Sequence, residues 1–351
     1  MNQLNKDQRV YKILFISTHY RISEKLFGIF PELSKIGTID IYCVGQMNLN
    51  KTWDGDIDLR FITFNKFKSY INKFVEIVNV EDYDVIIYDD NRIQDQLGIP
   101  HIYQQAKHHD VLMIGNSHGN KSISRKTYEG FNICYDYAFC FGKFEYDQYN
   151  KIYPGKLLEG GIPINDELKY CKVSGKYLLV IPNFTADRSS PFSCNFDKRW
   201  AIQSVNISKL YNIPIVIKQK TRTDSPDYSK HVDFINSLYD DLDIKPTIIN
   251  DTDDINKLIS NSSLVMSAIS TLAFKPIQLN IPTILIQNSG DTGNFKNYPY
   301  TYDINTSDLS YKYQEIDNQL IKKFITETIA GGNDFESAKL YIQELKKILI
   351  K

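Results

Sequence analysis

The chain has 351 residues, enough for about two domains, and its 42% apolar content supports sizeable cores. Its 41 basic and 42 acidic side chains nearly cancel, which argues against a dedicated nucleic-acid binder because such proteins usually carry a basic excess. Five scattered cysteines (Cys43, Cys134, Cys140, Cys171 and Cys194) form no CxxC pair, so neither a disulfide framework nor a structural zinc site is expected, and a reducing cytosol fits. The polar start, Met1 to Arg9, lacks the apolar core of a signal peptide, and no apolar run approaches ~20 residues. A cytoplasmic protein is expected. Contact with the inner face of a membrane through Lys and aromatic side chains stays open.

In chain order, Tyr11 to Ser17 reads as a buried strand, Ser23 to Ile36 as a helix and Thr38 to Val44 as a second strand. Phe67 to Val80 has helical spacing. Strands follow at Tyr83 to Tyr88, Val111 to Ile114 and Tyr137 to Phe141. Gly160, Gly161 and Pro163 interrupt the pattern, which then restarts. Lys176 to Pro182, Pro214 to Lys218 and Pro246 to Ile249 read as strands. Phe196 to Tyr211, His231 to Leu242 and Asp253 to Ser260 read as helices. An apolar strand beginning at Leu264 runs into Ser267 to Thr271, followed by a short helix and the strand Thr283 to Ile286. The tail, Asp334 to Ile350, is amphipathic and Lys-rich.

Strands alternating with helices imply parallel sheets covered on both faces. The expected fold is therefore α/β, with two Rossmann-like, doubly wound domains facing across a cleft. The expected limits are residues 1–162 for an acceptor-side domain, 163–332 for a nucleotide-donor domain and 333–351 for a terminal helix. Such sheets bind ligands beyond the carboxyl ends of their strands.

Several fingerprints are absent: GxGxxG after the first strand, GxxxxGK[ST], HExxH and GxSxG. Several candidate segments remain. Asn116-Ser117-His118-Gly119 follows a strand, where His118 could serve as a general base toward an acceptor hydroxyl or only as a structural hydrogen-bonding group. His19, just past the first strand, is a second candidate. Lys218, Lys220 and Arg222 at another strand end suit a diphosphate, and equally a solvated basic turn. Gly160-Gly161 could be a phosphate-facing backbone, a hinge or a plain linker. Ser267, Ser270 and Thr271 sit where a strand meets a helix, which suits phosphate but also ordinary capping. The polar loop Asn288 to Asn294, with Asp291, is placed to face the same ligand or is only a turn. Asp89-Asp90 reads as strand-end polar residues or as part of the lining.

At these residues the chain resembles GT-B glycosyltransferases, and within them the CDP-glycerol glycerophosphotransferase-like and capsule-type transferases. Their His-Gly motif is matched by His118-Gly119, their Gly-x-Pro element by Gly161-Ile162-Pro163, and their Ser/Thr turn by Ser267 to Thr271. Their Lys-Pro-His-Pro strand end is matched only partly: Lys220 stands where the histidine is expected. Ser267-Ala268 stands where an aspartate is expected.

The resemblance implies a nucleotide-linked sugar or polyol as donor and a carbohydrate or lipid-linked acceptor, in surface polysaccharide or glycoconjugate synthesis. It implies donor contacts from Gly161, Lys218, Lys220, Arg222, Ser267, Ser270, Thr271 and Asp291. Acceptor-side contacts come from His19, Asn116 and Gly119, and the base is His118. No tightly bound cofactor and no obligatory metal are expected, and nucleic acid is not an expected partner. Competing readings are a UDP-sugar 2-epimerase, whose carboxylate cluster is not evident in the sequence, a DNA-base glucosyltransferase, disfavoured by the near-zero charge, and a non-catalytic nucleotide-sugar binder.

Overall fold

A computed structural model of the chain describes residues 9–17, 23–43, 66–89, 99–117, 135–150, 155–182, 197–219, 228–249, 254–287, 293–305 and 308–349. The chain divides into two compact units: Met1–Glu167 with Thr326–Lys351, and Leu168–Ile325.

The first unit holds a seven-stranded sheet: β1 (Tyr11–Ser17), β2 (Gly37–Cys43), β3 (Lys73–Val75), β4 (Val85–Tyr88), β5 (Leu112–Asn116), β6 (Tyr137–Cys140) and β7 (Leu157–Glu159). The order is β3-β2-β1-β4-β5-β6-β7, and every pairing is parallel. β1 is buried from Ile13 to Ser17 because helices cover both faces. Leu14 and Ile16 face a cluster with Ile99, Ile102 and Ala106 of α1 (Ile99–His108). Phe15 packs edge-on against Phe30, with ring centroids 5.1 Å apart. Gly28 and Pro31 keep the expected helix at 23–36 from running as one: Glu24–Ile29 is a 3₁₀ turn and Phe30–Leu33 a single α turn.

The helical spacing of 67–80 is overridden. Lys68–Tyr70 is a 3₁₀ turn and Lys73–Val75 is the edge strand β3, paired with Asp40, Ile41 and Tyr42. The Asn72 backbone N–H donates to the Ile39 carbonyl at 2.8 Å, and its side chain donates to Asp40 at 2.8 Å. A helix here would place four β-branched residues, Val75, Ile77, Val78 and Val80, in close succession. Instead Val75 lies in β3, and Ile77, Val78 and Val80 follow in a bend, a loop and a 3₁₀ turn, which avoids that crowding.

The second unit holds β8 (Tyr177–Ile181), β9 (Ile215–Lys218), β10 (Thr247–Ile249), β11 (Ser262–Ala268), β12 (Thr283–Gln287) and β13 (Thr301–Asp303), in the order β10-β9-β8-β11-β12-β13 and again all parallel. On one face, Leu178, Val180, Leu264, Met266 and Ala268 bury against Trp200, Ala201 and Val205 of a helix spanning Lys198–Tyr211. That helix is capped by Asp197, which accepts from the Arg199 N–H at 2.9 Å, and ends at Asn212 in the left-handed region, φ 51°. On the other face Leu179, Val216 and Val265 meet Leu258 and Ile259.

The chain passes from the second unit back to the first within the helix Asn318–Thr328. A final helix, Ser337–Leu349, belongs to the first unit. Asp166 caps it from far along the chain, accepting from the N–H groups of Ser337 at 3.0 Å and Ala338 at 2.7 Å. The first unit is thus discontinuous, with boundaries at 167/168 and 325/326.

Candidate functional site

Both sheets reverse their winding at one point, between β1 and β4 in the first unit and between β8 and β11 in the second. Open parallel sheets bind ligands at the carboxyl ends of strands beside such a point. In each unit, polar side chains lie beside that unit's own reversal point.

In the first unit, Ser17 ends β1 and Asp89 follows β4. The Ser17 and Ser23 hydroxyls lie 2.6 Å apart, and Ser23 donates to Asp89 Oδ2 at 2.5 Å. Asp89 is fully buried, and its backbone N–H donates to the Ile16 carbonyl. Burial, reinforced by the Asp89 charge, pushes the Cys43 thiol at the end of β2 up to about 12. Asp90 lies outside the described residues.

At the end of β5, Asn116 is buried with both ends of its amide engaged. Nδ2 donates to the Tyr88 carbonyl at 2.8 Å, and Oδ1 accepts from the Tyr341 hydroxyl at 3.0 Å. Tyr341 also stacks on Phe139, with centroids 3.7 Å apart. Asn116 therefore ties β4, β5 and the final helix together.

Next along the chain, Ser117 donates to Glu145 Oε1 at 2.5 Å, while Glu145 Oε2 accepts from the Phe141 N–H at 2.7 Å. Glu145 lies on α2 (Lys143–Tyr149) and is wholly buried. Burial pushes its carboxyl up to about 7, against the pull of the Phe141 N–H, the Ser117 hydroxyl and the Lys25 charge. A group that ionises near neutrality thus holds the residue immediately before His118. His118, Gly119 and His19 lie outside the described residues.

Gly161 has φ +67°, and a Cβ there would stand 2.2 Å from the Ala330 carbonyl oxygen. That same oxygen accepts from the Ser337 hydroxyl at 2.8 Å. The glycine is required where the junction packs on the returning segment of the first unit.

In the second unit, Ser267 is fully buried and donates to the Ala268 carbonyl at 2.8 Å. Ser270 is half-buried and extended, φ −155° and ψ 159°, and leads into the 3₁₀ turn Thr271–Ala273 and the short helix Phe274–Gln278. Its hydroxyl caps no backbone N–H of that turn. Thr271 is half-buried as the first residue of the turn, and Lys218 is half-buried at the end of β9. Lys220, Arg222 and Asp291 lie outside the described residues.

Two further side chains lie inside candidate segments of the sequence but carry no role of their own there. Gln219 directly follows β9 and is 0% exposed. Asn294, in the turn Gly293–Phe295 after β12, is 1% exposed. Neither amide has a hydrogen-bond partner on either of its polar atoms among the described residues. Phe295 stacks on Phe274 at 4.1 Å, which fixes the Asn294 turn beside the Ser270–Thr271 turn. Among the described residues, no group of three or more His, Cys, Asp or Glu is arranged to hold a metal. No helix among them is long and apolar enough to cross a membrane.

Two parallel sheets of the same winding, each with its polar groups at the carboxyl ends, define the architecture. The fold is GT-B-like. No family model matches the chain. No curated protein matches it either. Solved structures do. A UDP-GlcNAc 2-epimerase from Neisseria meningitidis, bound to UDP-GlcNAc, superposes with a TM-score of 0.66 at 11% identity, covering 96% of this chain and 100% of that one. A glycosyltransferase from Rickettsia africae gives 0.59 at 13% identity, covering 97% and 98%. The glycotransferase of kitacinnamycin gives 0.56 at 9% identity, covering 98% and 100%. At these identities the likeness carries the fold alone.

Proposed function

We propose that this chain is an enzyme that uses a nucleotide-activated sugar or polyol, and that it transfers the activated group to an acceptor hydroxyl. The observation that carries this reading is the Ser270–Thr271 turn. It follows β11 at the reversal of the second sheet, and its leading hydroxyl caps no N–H of the turn. Free hydroxyl and N–H groups there suit a diphosphate, and Lys218 at the end of β9 suits its charge. In this reading Ser270, Thr271 and Lys218, with Lys220, Arg222 and Asp291, hold the donor. His118 removes the proton from the acceptor hydroxyl as the leaving group departs: the nucleoside diphosphate when a sugar is transferred, the nucleoside monophosphate when a polyol phosphate is. Charge on the leaving group is met by fixed dipoles and cations, with no resident cofactor and no required metal. The reading extends to the CDP-glycerol glycerophosphotransferase-like and capsule-type group, with a carbohydrate or lipid-linked acceptor in surface polysaccharide or glycoconjugate synthesis at the inner face of the membrane. His118-Gly119 and Gly161-Ile162-Pro163 support it.

A second reading is a nucleotide-sugar epimerase. What favours it is the pair of buried carboxyls in the first unit, Asp89 after β4 and Glu145 on α2. Glu145 ionises near 7, which suits proton transfer at neutral pH.

One experiment separates the two. UDP-, CDP-, GDP- and ADP-linked donors are screened by thermal shift, because a ligand of the native state raises apparent stability. Donors that bind are then incubated in heavy water. Deuterium entering the sugar ring without loss of nucleotide marks an epimerase. Acceptor-dependent release of the nucleotide marks a transferase, and His118→Ala then keeps donor binding and loses turnover. If no donor shifts the transition, both readings fail.

A further inference from the structure

We infer that Gln219 and Asn294 recognise part of the ligand. Each buried carboxamide takes up a ligand group that presents a hydrogen-bond donor beside an acceptor, as the edge of a nucleobase or the N-acetyl group of a sugar does. This rests on the nucleotide-sugar reading above and adds to it the residues that choose among donors.

A buried polar atom left without a partner is destabilising, and native proteins contain few of them. Here four such atoms belong to only two side chains, Nε2 and Oε1 of Gln219 and Nδ2 and Oδ1 of Asn294. Other buried amides among the described residues are used. Asn116 is engaged at both ends, and Gln203 Oε1 accepts from the Leu309 N–H at 3.1 Å. The unused pair is also not scattered. Both follow strands of the second sheet on the edge where its ligand site is expected, at β9 and β12, with β8 and β11 between them. The Phe274–Phe295 stack holds Asn294 next to the turn assigned to the donor phosphates.

The chemistry of the amide narrows the ligand group. A carboxamide offers an N–H donor and a carbonyl acceptor side by side. A phosphate would satisfy only the donor and would set negative charge against the carbonyl oxygen. An apolar group would satisfy neither. A group carrying its own adjacent donor and acceptor satisfies both.

The test uses the full chain with Gln219→Met and Asn294→Leu, which keep side-chain volume and remove the unpaired atoms. Each variant without ligand is expected to melt about 2–4 °C higher than wild type, since it loses an unsatisfied buried amide. The dissociation constant of a nucleotide sugar that binds wild type should weaken at least about tenfold, measured by calorimetry. UDP, UDP-glucose and UDP-N-acetylglucosamine, with CDP and GDP in parallel, identify the group recognised. Weakening of the bare nucleotide assigns the base. Weakening confined to the N-acetyl compound assigns the sugar. A ligand-free variant that melts lower than wild type, or does not fold, would show that the amide is paired in the folded chain and overturn the inference. Unchanged affinities in both variants overturn it too, while the wild type's own binding leaves the broader reading standing. If wild type binds no nucleotide, it is the broader reading that has failed, and the inference falls with it.

Discussion

Replacing Glu145 with Gln isolates the effect of burying an ionisable carboxyl. The folded chain binds the Glu145 proton more tightly than the unfolded chain does, because its carboxyl is pushed from 4.5 to about 7 by burial. That preference favours folding fully below pH 4.5 and is lost as pH rises toward about 7. The difference corresponds to about 3 kcal/mol at pH 8, an order-of-magnitude figure for a wholly buried group. Gln keeps the shape: its oxygen can accept from the Phe141 N–H and its NH₂ can donate to the Ser117 hydroxyl, the two groups Glu145 now contacts. Wild type and Glu145→Gln should therefore match in stability near pH 4.5. The variant should then gain on wild type through the window up to about 7, ending about 3 kcal/mol more stable at pH 8. Urea titrations read by hydrogen exchange on peptides from β5 through α2 report this locally and do not mix the two units. A stability difference that stays flat from pH 4.5 to 8.5, or a variant less stable than wild type at pH 8, would refute the argument. It would mean that the charged carboxylate is well satisfied by its two donors and Lys25.

Three other outcomes follow from the geometry. Gly161→Ala forces a left-handed conformation on alanine and drives its Cβ to within 2.2 Å of the Ala330 oxygen, so urea unfolding should show a loss of at least about 2 kcal/mol. Asp166→Ala removes both acceptors at the start of Ser337–Leu349 and should cost about 1–2 kcal/mol, visible as faster hydrogen exchange in that helix. Ser270→Ala should change stability by no more than about 0.5 kcal/mol, since its hydroxyl caps nothing, yet weaken a donor that binds wild type about tenfold in calorimetry.

The strands most readily read from the sequence are those buried on both faces. β1, β8 and β11 are runs of apolar residues because helices cover both sides of a parallel sheet, and that burial leaves a continuous signal. β3, β7 and β13 are three residues each, and all three lie at sheet edges. Such strands bury too little to stand out, and Phe74 of β3 is 37% exposed. The position of a site at strand ends was legible, because polar residues interrupt the apolar runs there. The state of each polar group was not. Asn116 and Ser267 look alike in sequence to free ligand-binding groups, but long-range partners and the local backbone already engage them. Glu145 sits in the segment Lys-Phe-Glu-Tyr-Asp-Gln-Tyr, where nothing marks one acidic residue as buried and the next as exposed. Gln219 stands between two lysines, and the cations drew the reading away from the amide.

The return of the chain to its first unit has a consequence for synthesis. Residues 168–325 form a unit whose sequence is continuous, so it is complete as soon as it has left the ribosome. The first unit is made earlier but finished later. Until residues 326–351 emerge, Asn116 lacks the Tyr341 hydroxyl, Phe139 lacks its stacking partner, Asp166 has no helix to cap, and Gly161 faces no Ala330. The half that begins the chain therefore closes last. A fragment ending at residue 167 would leave those faces open, while one beginning at 168 and ending at 325 keeps its sheet and its core whole.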